Sequence, residues 1–183
     1  MTVKTSHVVM DVETLHLVPT AAVIAFAAST AEGIEFKWNF SIADNMRRSV
    51  SPSTIEWHKE KKTQDYLIYS NSSTTAVTLP QFLIEWKKWL DIHTDRETLF
   101  WSQGTDFDFP VMKSFTLGVE GKWAWFSHQN VRDLRTLIWV LSGRGIQPAW
   151  RGNNAAHNAM DDVRDELFVL KQCLQELELE TRI

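Results

Sequence analysis

Apolar positions change their period along this chain, and the changes predict its elements. Three β-rich runs come first, near 7–15, 21–29 ("AAVIAFAAS") and 34–40 ("IEFKWNF"), bounded by Pro or Gly. "SPSTIEWHKEKK" then reads as a helix start, with Ser53 as N-cap and Glu56 as its box partner three residues on. Over 79–90, Phe82, Leu83, Trp86, Trp89 and Leu90 recur at helical spacing. "TLFWSQG", 98–104, is a short apolar strand, followed by a helix near 109–117 and an amphipathic helix over 131–142. The last element is a long helix over 156–179, with Val163, Leu167, Leu170, Leu174 and Leu177 in one stripe. Strands first, then strands mixed with helices, predict an α/β fold: a mixed β-sheet flanked by α-helices. At 183 residues, with no linker, repeat or low-complexity segment, the chain reads as a single domain over 1–183.

The first strand breaks its own pattern. In "VVMDVETL", residues 8–15, Asp11 and Glu13 sit two apart, so on a strand both point to one face. Paired carboxylates there are costly to bury unless a cation neutralises them. Oxygen ligands alone suit magnesium or manganese. More acids fall where sites form in α/β sheets: Asp106 and Asp108 lie just past the end of the strand over 98–104. At the start of the last helix stand His157, Asp161, Asp162 and Asp165. Taken singly, these have a plainer explanation, because acids in a first helical turn cap it and favour its dipole. Taken together, carboxylates from three segments and a histidine supply what a pair of ions about 3.5–4 Å apart and a proton acceptor need to hydrolyse a phosphodiester.

Composition narrows the setting. Hydrophobic residues make up 44% and charged residues 23%, which describes an ordinary globular protein. The formal charge of -4 excludes blanket attraction to nucleic acid but leaves room for a local basic groove, for which Arg47, Arg48, Lys59, Lys61 and Lys62 are candidates. The lone Cys173 permits no internal disulfide and fits a reducing compartment. No stretch reaches a membrane span, and the N-terminus carries no signal-peptide pattern, so the expectation is a cytoplasmic protein without a membrane partner. Nine tryptophans are expected mostly in the core. His16, His93 and His128 show no partner pattern.

Three short segments carry a family resemblance. "DVET" resembles the first motif of the DnaQ-like 3′-5′ exonucleases of the DEDD superfamily, histidine subtype. "GTDFDFPVM" resembles their second motif and "HNAMDD" their third, H-x-x-x-x-D. Each is weak alone, but three in order, over roughly 7 to 175, are far more specific. "STIEWHKE" and "DFDFPVM" look closest to phage-type exonucleases such as DexA, whose relatives include single-domain bacterial exoribonucleases.

The resemblance implies a ribonuclease H-like sheet and two Mg2+ or Mn2+ ions. It makes Asp11 the ligand bridging both ions, with Glu13 and Asp162 on the side of the attacking water and Asp108 on the other. Within each ambiguous pair, it favours Asp108 over Asp106 and Asp162 over Asp161. His157 resembles the general base. Thr14, Leu15, Trp57 and Phe107 fall on the substrate side, and Trp57 with His58 where the family closes its site. The implied activity is 3′-5′ hydrolysis of single-stranded nucleic acid, DNA ahead of RNA, to 5′-mononucleotides. The alternatives are a DEDD-fold nucleic-acid adaptor of weak activity and a ribonuclease H-like endonuclease. In a phage protein the compartment would be the host cytoplasm.

Overall fold

The computed structural model describes residues 4–120, 127–151 and 157–179. Its strands are β1 (His7–Thr14), β2 (Val23–Thr30), β3 (Glu35–Asn39), β4 (Leu99–Ser102) and β5 (Val131–Asp133). Its α-helices are α1 (Pro52–Lys61), α2 (Gln64–Ser70), α3 (Leu79–His93), α4 (Asp108–Glu120), α5 (Leu134–Gly143) and α6 (Ala159–Glu176). The strands form one sheet in the order β3-β2-β1-β4-β5, antiparallel across β3, β2 and β1 and parallel across β1, β4 and β5. The expected mixed sheet flanked by helices is therefore present.

Strand alternation divides the core in two. Val8, Met10 and Val12 of β1 pack with Phe26, Phe82 and Trp86 in a cluster that takes in α3 and α4. Val9, facing the other way, joins Ala25, Trp101, Val163 and Leu170 under α5 and α6. The stripe expected on α6 lies against this second face: Val163, Leu167, Leu170 and Leu174 are buried, and Leu177 packs at its end. Asp11 and Glu13 share the parity of Val9, so the α6 face of the sheet is the one that receives the acids.

Three local expectations shift. The cap of α1 is Ser51, not Ser53: Pro52 suits the first helical position, and Ser51 Oγ accepts the Thr54 N–H at 3.4 Å. Glu56 faces Lys59 at 3.9 Å rather than closing a capping box. Of the helix expected over 131–142, the first three residues are strand, because Val131 extends the sheet beside Phe100. The helix starts only after Asp133, whose side chain accepts the Arg135 N–H at 2.8 Å. The short α2 follows from no clear pattern in the sequence. Trp86, Trp89 and Trp101 are core residues as expected. Trp139 and Trp150 are not, at 75% and 45% exposed, and Trp123 and Trp125 lie outside the described residues. No helix among the described residues is long and apolar enough to cross a membrane.

Candidate active site

A cavity of about 780 Å³ opens at the end of β1, where α1, α5 and α6 and the turn after β4 meet around it. Asp11 and Glu13 reach its floor from β1, and α6 lays Asp162 against them. One carboxylate oxygen from each of the three lies within 4.8 Å of the others. Asp108 reaches the same cavity from the first turn of α4 and is 5% exposed. The four acids favoured by the resemblance thus converge from β1, α4 and α6.

The two ambiguous pairs separate by direction. Asp106 is exposed outside the cavity, 3.9 Å from an Arg135 guanidinium nitrogen, while Asp108 lines it. Asp161 points back to the sheet edge, where Arg164 binds it at 3.0 Å and Glu35 at 2.6 Å. Asp162, one residue on, faces the cavity. His157 precedes the α6 cap residue Asn158, stands free of the helix, and lines the cavity too. Its ring meets that of Trp57 edge to face, centroids 4.6 Å apart.

Of the substrate-side residues, Thr14, Trp57 and Phe107 line the cavity. Leu15 does not: it is 3% exposed in a small core cluster with Ala22, Ile24 and Tyr69. The strand register shifts at Glu13/Thr14, and two residues on it is Leu17, 78% exposed, that lines the cavity. His58, though 1% exposed, lines the cavity beside Trp57; its Nε2 is 3.0 Å from the Thr14 carbonyl and its Nδ1 2.8 Å from Thr63 Oγ1, which fixes α1 against the end of β1.

The expected basic groove does not face this cavity. Arg48 spends its guanidinium on the carbonyls of Ala21 and Pro19 and on Ser114 Oγ, and Lys59 pairs with Glu56. None of Arg47, Arg48, Lys59, Lys61 and Lys62 lines the cavity. Among the described residues the arginine or lysine that does is Arg135, which the sequence reading passed over.

Asp165, named with the acids of the last helix, also lines the cavity and lies 3.8 Å from Arg151 Nε. A further acid there was passed over. Glu166, 5% exposed, lines the cavity one turn after Asp162, and its Oε2 has no hydrogen-bond partner. Its i+4 spacing from Asp162 was the available signal, since that spacing puts both on one helix face.

Burial and mutual repulsion shift Asp11, Glu13, Asp108, Asp162 and Glu166 upward. Burial, then the charges of Asp108 and Glu166, hold Asp11 well above the usual carboxylate range. Burial and then Asp162 push Glu13 up to about 8, and burial raises Asp108 to about 7 against the opposing pull of Arg135. Asp162 and Glu166 are raised chiefly by burial as well. A pocket of hard oxygen donors that repel one another, one of them an unpartnered buried oxygen, fits divalent cations.

Comparison with known proteins agrees with this geometry. The model of the 3′-5′ exoribonuclease Rv2179c-like domain matches residues 6–174. No curated protein sequence matches the chain. Among solved structures, product-bound exonuclease I superposes with a TM-score of 0.64 at 14% identity, over 94% of this chain and 44% of that one. Cell-death related nuclease 4 (CRN-4) gives 0.61 at 14%, over 93% and 64%. The nuclease domain of 3′hExo, a DEDDh family member bound to rAMP, gives 0.57 at 16%, over 97% and 96%. The chain thus spans less than two thirds of the first two relatives and nearly the whole of the third. With the family model covering the sheet, the acids of β1, α4 and α6 and His157, the chain belongs to the 3′-5′ exoribonuclease Rv2179c-like domain family.

Proposed function

We propose that this protein removes nucleotides one at a time from the free 3′ end of single-stranded nucleic acid, releasing 5′-mononucleotides. The observation that carries the reading is the approach of Asp11, Glu13 and Asp162 within 4.8 Å, in one cavity with Asp108 and His157. Asp11, Glu13, Asp108 and Asp162 would hold two Mg2+ or Mn2+ ions. Such ions supply a water acidified toward neutral pH and charge stabilisation for the departing 3′ oxygen.

The remaining work falls to the chain. His157, set ahead of the helix and exposed to the cavity, accepts the proton of the attacking water. Trp57 holds the imidazole edge to face, which restricts its rotation and sets its direction. Thr14, Leu17 and Phe107 wall the space for the terminal nucleoside. A cavity of about 780 Å³ takes a nucleotide-sized ligand and is too small for a duplex.

The sequence reading places DNA ahead of RNA. The family's description as an exoribonuclease domain supports the opposite order, and we take RNA as the first substrate. The test is a panel of 5′-labelled single-stranded RNA, single-stranded DNA and duplexes, each with Mg2+ or Mn2+. Single-stranded RNA should shorten in one-nucleotide steps. No shortening of any strand with either ion, from a folded protein, would leave the adaptor reading in its place.

A further inference from the structure

Arg135 is the cation whose side chain reaches the cavity among the described residues, and its setting is unusual. It stands in the first turn of α5, its backbone N–H fixed by the Asp133 side chain at 2.8 Å. Its guanidinium extends over Gly104, in the turn between β4 and α4. A Cβ at Gly104 would lie 3.2 Å from an Arg135 terminal nitrogen and 3.6 Å from Asp108 Oδ2. Glycine thus leaves open the space in which a guanidinium approaches the buried carboxylate. The guanidinium is not used up there. The Arg135 side chain is 61% exposed, and its ion pair is the 3.9 Å contact with Asp106, itself 85% exposed. Exposed pairs of that length hold a side chain only weakly.

A phosphodiester strand needs cationic contacts at this rim. The acids at the floor repel every phosphate that bound ions do not neutralise, and the lysines and arginines of α1 and its approach do not line the cavity. Arginine's planar fork fits two phosphate oxygens at once. We infer that Arg135 grips the phosphate immediately upstream of the scissile one, with Gly104 keeping the guanidinium's path clear and Asp106 as its exchangeable partner before the strand arrives. The inference rests on the exonuclease reading and assigns that site its strand-positioning contact.

The competing role for Arg135 is to offset the charge of Asp108 and Glu166, both of which it opposes. A role of that kind leaves the salt dependence of strand capture unchanged. The experiment measures kcat and KM on a single-stranded oligonucleotide with Mg2+ at several salt concentrations, for wild type, Arg135→Ala and Gly104→Ala. Arg135→Ala should lower kcat/KM about tenfold or more, mainly through KM. It should also make log(kcat/KM) against log[salt] shallower by about 0.7, the loss of one phosphate contact to a single strand. Gly104→Ala keeps every charge but displaces the guanidinium, and should reproduce part of both effects. On a strand whose upstream linkage is an uncharged methylphosphonate, wild type and Arg135→Ala should become nearly equal. A folded Arg135→Ala enzyme with an unchanged salt slope, or one that stays about tenfold impaired on the methylphosphonate strand, overturns the inference while leaving the exonuclease reading intact. A wild-type enzyme that shortens no strand overturns both.

Discussion

Asp65 Oδ2 accepts the backbone N–H of Ala159 at 3.0 Å, across 94 residues of sequence. The bond fixes the first residue of α6 to α2. The other oxygen of the same fully buried carboxylate meets Lys37 at 2.8 Å and Asn39 Nδ2 at 3.0 Å. Lys37 also reaches Asn158 Oδ1 at 3.1 Å. A sheet-edge lysine, an α2 aspartate and the cap of α6 therefore form one network, and His157 and Asp162 lie on either side of that cap.

Asp65→Ala should consequently damage both fold and site. It leaves Lys37 without its carboxylate and the Ala159 N–H unsatisfied in a buried setting. The expected loss is about 3 kcal/mol in urea denaturation. The variant that still folds should lose activity out of proportion to its folded fraction, because the start of α6 is no longer fixed. Full activity per folded molecule would show that α6 positions Asp162 without this network.

The second-motif aspartates should differ sharply under substitution. Asp108→Asn removes a buried acid of the cavity and should abolish nucleotide release at saturating Mg2+. Asp106→Asn loses an exposed 3.9 Å pair and should retain most of the turnover. Equal losses in steady-state assays would contradict the assignment of Asp108 rather than Asp106 to the metal site.

Metal-free stability should fall as pH rises. Folding holds Glu13 at about 8 and Asp108 at about 7, above their ordinary values of 4.5 and 3.8. Between those limits the folded state binds more protons than the unfolded state. This contribution is therefore full below about pH 4 and lost through about pH 7–8. In EDTA, Tm should drop between pH 5 and pH 8, and Glu166→Gln should raise Tm at pH 8 by removing one repelling buried acid. Added Mn2+ should raise Tm more at pH 8 than at pH 5, since only deprotonated carboxylates ligate well. A metal-free Tm independent of pH over that range would contradict the charge clustering.

His157→Ala should lower kcat by roughly 10²–10⁴-fold with little change in KM, as loss of a general base does. Trp57→Ala should reproduce part of that loss through a less ordered imidazole. A variant Trp57→Ala with unchanged kcat but raised KM would instead place the indole against the substrate.

How much of this was legible in the sequence depended on range. The period-2 break at Asp11 and Glu13 and the apolar stripe of α6 are local patterns, and both gave their elements and faces correctly. Three ordered motifs then brought distant acids together that no local pattern connects. What was missed is tertiary or lies at boundaries. Arg135 enters the cavity only because α5 starts beside Gly104, and the i+4 spacing of Glu166 from Asp162 gains its meaning only once α6 is laid on the sheet. Leu15 follows the alternation of β1, but the register shift at Glu13/Thr14 and the turn beyond it hand its expected place to Leu17. The lysines and arginines near α1 looked free because their charges show in sequence while Arg48's carbonyl partners do not.

The most direct test of hydrolysis from the 3′ end uses one 5′-labelled single-stranded RNA in three forms: free 3′ hydroxyl, 3′ hydroxyl blocked by a bulky group, and closed circle. With Mg2+ or Mn2+, only the free end should be degraded, in single-nucleotide steps and with every released nucleotide carrying a 5′-phosphate. Asp11→Asn should do none of this at saturating metal. Efficient cleavage of the blocked strand or the circle by wild type, or turnover by Asp11→Asn, would contradict the account.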